Sequence, residues 1–251
     1  MTTELVHLQV GDGIATITLD SPHNRNALSS QLVTELVAAF QQADGDESVR
    51  AIVLAAAGPV FCSGADLSEA SSGGMTTGAR GLIDLQRMIL TAATPVVVRL
   101  QGPVRAGGLG IVGAADIVIS ADTVTFAFTE ARLGLAPAAI SLTTLPRLTS
   151  RAAARTFLTA ETFDAAAAEA MGLISQAVPA DQLDATVETV TAELLKGSPQ
   201  GLRESKKLVN APLIAGIDER GDDLAQLSAS LFNSDEAREA MIAFLNRKKK
   251  K

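Results

Sequence analysis

Apolar and polar positions alternate across residues 5–20, LVHLQV then GDG then IATITLD, and the Gly-Asp-Gly between the two runs tolerates positive φ. The pattern predicts an N-terminal β-hairpin. From Ser29 the period lengthens: Leu32, Leu36 and Phe40 recur on one helical face behind a serine cap, and RAIVLAA (residues 50–56) then reads as a buried strand. This gives β-α-β order. A stretch rich in Ser and Gly, residues 68–78, predicts a loop before a helix over residues 79–92. PVVVRLQG (95–102) is the next buried strand, and DIVISAD (116–122) and VTFAF (124–128) add two more. Beyond residue 136 Ala-rich helical stretches take over, one of them capped by Asp164 and stopped by Gly172, with ISQAV (174–178) as a short strand among them. Helices over 182–196, 199–209, 217–231 and 234–248 complete the chain, broken by Gly197, Pro199 and Pro212.

The expectation is thus an α/β layer followed by a helical tail, without internal repeats or a low-complexity linker. At 251 residues and 47% hydrophobic content the chain has ample material for a buried core. No apolar run reaches membrane-spanning length, and the N-terminus lacks a basic segment followed by an apolar one. Cytoplasmic localisation is therefore expected. A net charge of -7 argues against a nucleic-acid surface, which demands clustered Lys and Arg. Arg247 to Lys251 form the one basic run and read as a solvated helix end. Cys62 is the single cysteine, which excludes an intrachain disulfide, and with only His7 and His23 available no metal site is expected.

RAGGLGIVGAAD (105–116) spells G-x-G-x-x-G through Gly108, Gly110 and Gly113, with Glu130 downstream where dinucleotide folds keep an acidic ribose partner. The context does not match that motif. A dinucleotide turn directly follows the first strand, whereas here Pro103 to Ala106 intervene after a later one, and Gly110 and Gly113 fall inside the following helix. Gly113 reads as a small residue at a tight helix contact. FCSGADL (61–67) follows RAIVLAA just as GPVRAGGLG follows VVVRLQG, so two parallel strands each deliver a glycine-bearing loop to one edge of a sheet. Two backbone N–H groups from such loops, aimed at one oxygen, form an oxyanion hole.

FCSGADL, GGLGIVGAADI, FAFTEARLGLAP and the Asn26–Leu28 segment together resemble the enoyl-CoA hydratase/isomerase (crotonase) superfamily, in order and in separation, over nearly the entire chain. The resemblance implies a crotonase-like (ClpP/crotonase) α/β fold: a spiral of β-β-α units with two roughly perpendicular sheets over residues 1–195, and a helical trimerisation region over 196–251. It also implies a homotrimer or a hexamer built as a dimer of trimers. The implied substrate is an acyl-CoA, with no separate cofactor and no metal. By match to the motifs, the amides of Ala65 and Gly107 would bind the thioester oxygen, and Ala65, Asp66, Leu67 and Ser68 would run along the CoA. Hydratases of the family flank the alkene with two glutamates; Glu130 matches the second, and Gly110 stands where the first is expected.

That departure shapes the functional expectation. Hydration asks one group to deprotonate water and a route for a proton to reach the α carbon, and two carboxylates divide that labour. A β,γ to α,β double-bond shift needs only one base. Yet TEARLGLAPAAIS is similar to a branch of bacterial enoyl-CoA hydratases that includes methylglutaconyl-CoA hydratase-like members, where Gly at the first position is familiar. The leading expectation is an enoyl-CoA hydratase-like enzyme with Glu130 as acid and base; a Δ3,Δ2-enoyl-CoA isomerase and a catalytically silent acyl-CoA binder are the alternatives. Gly110→Glu would raise hydration if the side chain fits. Glu130 should sit among Phe126, Phe128 and Leu133 with its pKa raised by desolvation, the competing reading being a surface pair with Arg132. Asp66 and Asp116 read as structural, and Cys62 as a small buried side chain. Arg105 reaches either phosphate or solvent, and residues 68–78 form a rim over the acyl chain.

Overall fold

The computed structural model describes residues 3–69 and 75–248. The hairpin forms as the alternation predicts: β1 (Val6–Gly11) and β2 (Ile14–Leu19) pair antiparallel, with Asp12 at φ 52 and Gly13 at φ 80 between them. Two consecutive positive φ angles match the twist of the flanking strands. Helix α1 (Ser30–Gly45) starts where Ser29 Oγ accepts the Leu32 N–H at 3.3 Å, and it buries Leu32, Leu36 and Phe40. Strand β3 (Ala51–Ala56) is buried along its whole length, as expected of a strand covered on both faces. Helix α2 (Met75–Thr91) begins four residues earlier than the sequence pattern places it, and residues 70–74 of the expected Ser/Gly loop lie outside the described residues.

β4 (Val96–Leu100), β6 (Ile117–Ala121) and β9 (Gln176–Val178) extend a sheet of order β1-β2-β3-β4-β6-β9, parallel from β2 onward. A second, small sheet joins β5 (Val104–Arg105), β7 (Thr125–Ala127) and β8 (Phe163–Asp164). Arg105 settles there, donating to the carbonyls of Val104 and Thr125 and to Thr125 Oγ1. These bonds lace β5 to β7. Between the strands lie α3 (Gly107–Ala114), α4 (Ala138–Thr144), α5 (Ser150–Thr159) and α6 (Ala165–Ala170), the last capped by Asp164 as expected.

Helix α7 (Leu183–Lys196) leads to α8 (Pro199–Phe232), a single helix where the sequence predicts two broken at Pro212. Proline removes one backbone hydrogen bond and crowds the preceding turn, a cost of about 3 kcal/mol. Burial along one face outweighs it: Lys206, Asn210, Leu213, Ile217, Gly221, Ala225 and Ser228 form a continuous stripe against the body of the protein. Pro212 itself is exposed. Pro212→Ala is therefore expected to raise stability by about 1–3 kcal/mol, the unfolded-state entropy lost with proline being smaller than the helix gain. Urea denaturation checks this, and an unchanged or lowered midpoint would refute it. Helix α9 (Asp235–Lys248) closes the described chain, and residues 249–251 of the basic run lie outside the described residues.

Asp116 braces the start of a strand, as its position suggests, and does more. Its carboxylate accepts the Val96 N–H at 2.7 Å, the Asn210 side-chain amide at 2.8 Å, and the Lys206 ammonium at 2.8 Å. Lys206 also donates to the Thr94 carbonyl at 3.0 Å. This polar cluster pins the first half of α8 to the ends of β4 and α2, and so sets where the far end of α8 falls.

Candidate active site

The C-terminal ends of the adjacent parallel strands β3 and β4 release the two loops toward the same edge. They are then sewn together by backbone. Phe61 N–H donates to Pro103 O at 3.2 Å, and Arg105 N–H donates to Cys62 O at 3.0 Å. Gly64 sits at φ +96, and a Cβ there would fall 2.9 Å from Ala106 Cβ, so both conformation and space require glycine. Ala106 holds φ 46 and ψ -122, a strained geometry for a residue with a side chain, and its N–H is tied to Ala127 O at 3.1 Å. The result places the amides of Ala65 and Gly107 side by side: a Cβ added to Gly107 would lie 3.8 Å from the Ala65 nitrogen. Among the described residues neither N–H has an acceptor. Gly107 opens α3, where the first amides of a helix lack intrahelical partners.

Asn26 holds this loop from beneath, a role the sequence motif did not disclose. It is buried, accepts the Ser21 N–H at 2.7 Å and donates to the carbonyls of Ala57 and Val60 at 3.1 and 2.8 Å. Leu28 N–H adds a bond to Gly64 O at 2.8 Å. The positive φ of Asn26, 53°, is the local reason an Asx residue stands there. Asp66 is structural as expected. Burial alone would raise its pKa, but hydrogen bonds from Ser68 and Asn24 outweigh it and hold the carboxyl below its ordinary value. Cys62 is fully buried and its thiol is pushed up to about 12 by desolvation, which removes it as a nucleophile.

Ala65 and Gly107 share a pocket with Glu130. Leu82, Ile140 and Phe232 supply apolar wall, and Ser228 stands at the α8 side. Glu130 begins a 3₁₀ turn (Glu130–Leu133) directly after β7. Its Oε2 is buried and has no hydrogen-bond partner, and desolvation raises its pKa to about 7 against the lowering effect of a hydrogen bond from its own backbone N–H. The raised pKa agrees with the sequence expectation, and the competing surface pair does not form: Arg132 turns toward Thr159 O at 3.4 Å rather than pairing with Glu130. Phe126 and Phe128 pack with Phe163 and Phe157 in the core.

Gly110 lies one turn into α3, and the space above it is full. A Cβ there would come within 2.7 Å of Ile140 Cγ2 and 3.1 Å of the Gln86 amide. Gln86 is itself buried, donating to Leu82 O and Ala139 O and accepting the Thr143 hydroxyl at 2.6 Å. A packed Gln86–Thr143 pair thus stands beside the position of the absent carboxylate, and nothing in the local sequence announces it. Gly113 is tight as expected, against the Thr143 backbone. Gly110→Glu consequently fails the condition under which it would raise hydration. It is expected to lower stability by about 1–3 kcal/mol or more through overpacking, with no gain in rate. Thermal unfolding and the loss of enoyl-thioester absorbance check both halves; a stable variant with faster hydration would refute them.

The sequence model of the family described as enoyl-CoA hydratase/isomerase matches residues 9–251. A relative from Rhodobacter capsulatus named "Probable enoyl-CoA hydratase" is 32% identical, covering 99% of this chain and 97% of the relative. Two solved structures are similar throughout. An enoyl-CoA hydratase from Mycobacterium avium has a TM-score of 0.91 at 46% identity, with 98% of each chain covered. An enoyl-CoA hydratase from Mycobacterium avium subsp. paratuberculosis K-10 has a TM-score of 0.87 at 27% identity, covering 97% of this chain and 96% of that one.

Proposed function

Because this chain belongs to the enoyl-CoA hydratase/isomerase family, we propose that it hydrates an α,β-unsaturated acyl-CoA, with Glu130 as its one acid and base. The observation that carries this reading is a carboxylate whose Oε2 is buried and unpartnered, sharing one pocket with two unpartnered backbone N–H groups. When water adds to the conjugated alkene, negative charge collects on the thioester oxygen. Ala65 and Gly107 donate to that oxygen, each N–H worth about 3–4 kcal/mol in comparable sites. Glu130 takes a proton from the attacking water and returns it to the α carbon on the same face. A pKa near 7 suits both halves of that transfer, since the group neither holds nor releases a proton too readily at neutral pH. The acyl-CoA is the substrate, and this chemistry calls on no further cofactor. The loop through Ala65, Asp66, Leu67 and Ser68 runs along the CoA, and the assembly is a trimer or a dimer of trimers in the cytoplasm.

Isomerisation is the second reading, favoured by the glycine at 110. Removal of an α proton by Glu130 and its return at the γ carbon uses the same oxyanion hole and no water. Offering α,β- and β,γ-unsaturated acyl-CoA separately decides between them. Hydration consumes the α,β absorbance and isomerisation creates it from the β,γ substrate. Inertness toward both, with tight CoA binding, would overturn the enzymatic reading in favour of a silent binder.

A further inference from the structure

One carboxylate leaves the attacking water with a single anchor, and α8 supplies another polar group to the same pocket. Ser228 is 7% exposed, lies on the buried stripe of α8 and lines the pocket that holds Glu130. Other buried helical hydroxyls have protein partners: Thr143 bonds Gln86, and on their own helices Thr144 bonds Ile140 O at 2.7 Å, Thr156 Ala152 O at 2.8 Å and Thr191 Val187 O at 3.0 Å. Ser230, on the solvent side of the same turn of α8, does likewise to Leu227 O. The Ser228 hydroxyl makes no hydrogen bond among the described residues. A hydroxyl without a protein partner, on a side chain that lines a cavity, has its donor and acceptor available to whatever enters.

From this we infer that Ser228 is the second anchor of the nucleophilic water, doing from α8 what a carboxylate at position 110 would do from α3. The inference rests on the hydratase reading. In the step so drawn, the water oxygen bonds to the β carbon. One of its hydrogens goes to Glu130 while the other is held by Ser228 Oγ, and the alkene electrons move to the thioester oxygen. Glu130 then gives its proton to the α carbon as the carbonyl re-forms. Water is consumed, a β-hydroxyacyl-CoA results, and Ser228 ends unchanged. The Gln86–Thr143 pair cannot take this part, because its amide is already spent on Leu82 O and Ala139 O and on the Thr143 hydroxyl.

The test compares wild type, Ser228→Ala and Ser228→Thr in hydration of an α,β-unsaturated acyl-CoA, and in exchange of the α protons of a saturated acyl-CoA with deuterated water, followed by NMR. Exchange needs Glu130 and the oxyanion hole but no nucleophilic water. Ser228→Ala is expected to lower kcat for hydration tenfold or more, with KM and the exchange rate within twofold of wild type, and Ser228→Thr is expected to keep most of the hydration rate. Unchanged hydration in Ser228→Ala, a change confined to KM, or hydration and exchange falling together would each overturn the assignment. A wild-type protein that exchanges α protons but does not hydrate would overturn the hydratase reading itself, separately from the role of Ser228.

Discussion

Glu130→Gln is expected to abolish turnover and to stabilise the protein, and the second effect should depend on pH. The glutamine keeps the shape of the side chain but neither takes nor gives a proton, so kcat should fall by about 10²–10⁴-fold, the range for a lost general acid–base group. In the wild type, kcat/KM should rise with pH through a midpoint near 7 as Glu130 deprotonates, because hydration starts from the carboxylate. Stability moves the other way. The folded pKa of about 7 lies above the ordinary 4.5, so between those values the folded state binds a proton that the unfolded state has released. Wild-type stability therefore falls as pH rises from 4.5 to 7, by about 3 kcal/mol at 1.36 kcal/mol per pK unit. Glu130→Gln removes that loss. Urea denaturation should find the variant more stable than wild type at pH 8 and level with it near pH 4. A stability difference that ignores pH would mean the carboxylate is solvated in the folded protein.

Asp116→Ala carries the largest expected loss of stability. Lys206 is buried with its ammonium on Asp116 and Thr94 O; burial lowers its pKa, and the charge and hydrogen bond of Asp116 oppose that. Removing the carboxylate strands a buried cation and leaves the Val96 N–H without its acceptor. Breaking one side of such a pair costs about 3–5 kcal/mol, whereas replacing both partners with apolar groups costs far less. Asp116→Ala should therefore be destabilised by that amount, and combining it with Lys206→Met should restore part of it. Chemical denaturation of the single and double variants measures both. A single-variant loss below about 1 kcal/mol, the level of an exposed pair, would contradict the account. Because α8 also carries Ser228 and Phe232 to the pocket, the single variant should lose activity before it loses its fold.

What the sequence discloses and what it hides divide along the range of the forces involved. The hairpin, the Ser29 cap and the buried strand Ala51–Ala56 follow from local alternation and capping chemistry, and they appear as expected. The convergence of the two loops is also legible, since parallel strands deliver their following turns to one edge. Pro212 misleads because the cost of a proline is local while the buried stripe that overrides it spans most of α8. The start of α2 is missed because Gly78 and the small residues before it weaken the apolar period. Glu130 stands out through its motif, but its neighbours do not: Leu82, Ile140 and Ser228 come from three separate helices. Gln86 lies 24 positions from Gly110 and carries no signal that it fills the space there. Asn26 and Asp116 are readable as polar residues at unusual places, yet their partners, in distant segments, are not.

The account turns on one thioester oxygen. A crystal structure of Glu130→Gln with an α,β-unsaturated acyl-CoA bound should place that oxygen about 2.7–3.1 Å from the nitrogens of both Ala65 and Gly107, with the alkene facing residue 130. A thioester carbonyl bound elsewhere, or held by only one of the two amides, would contradict it.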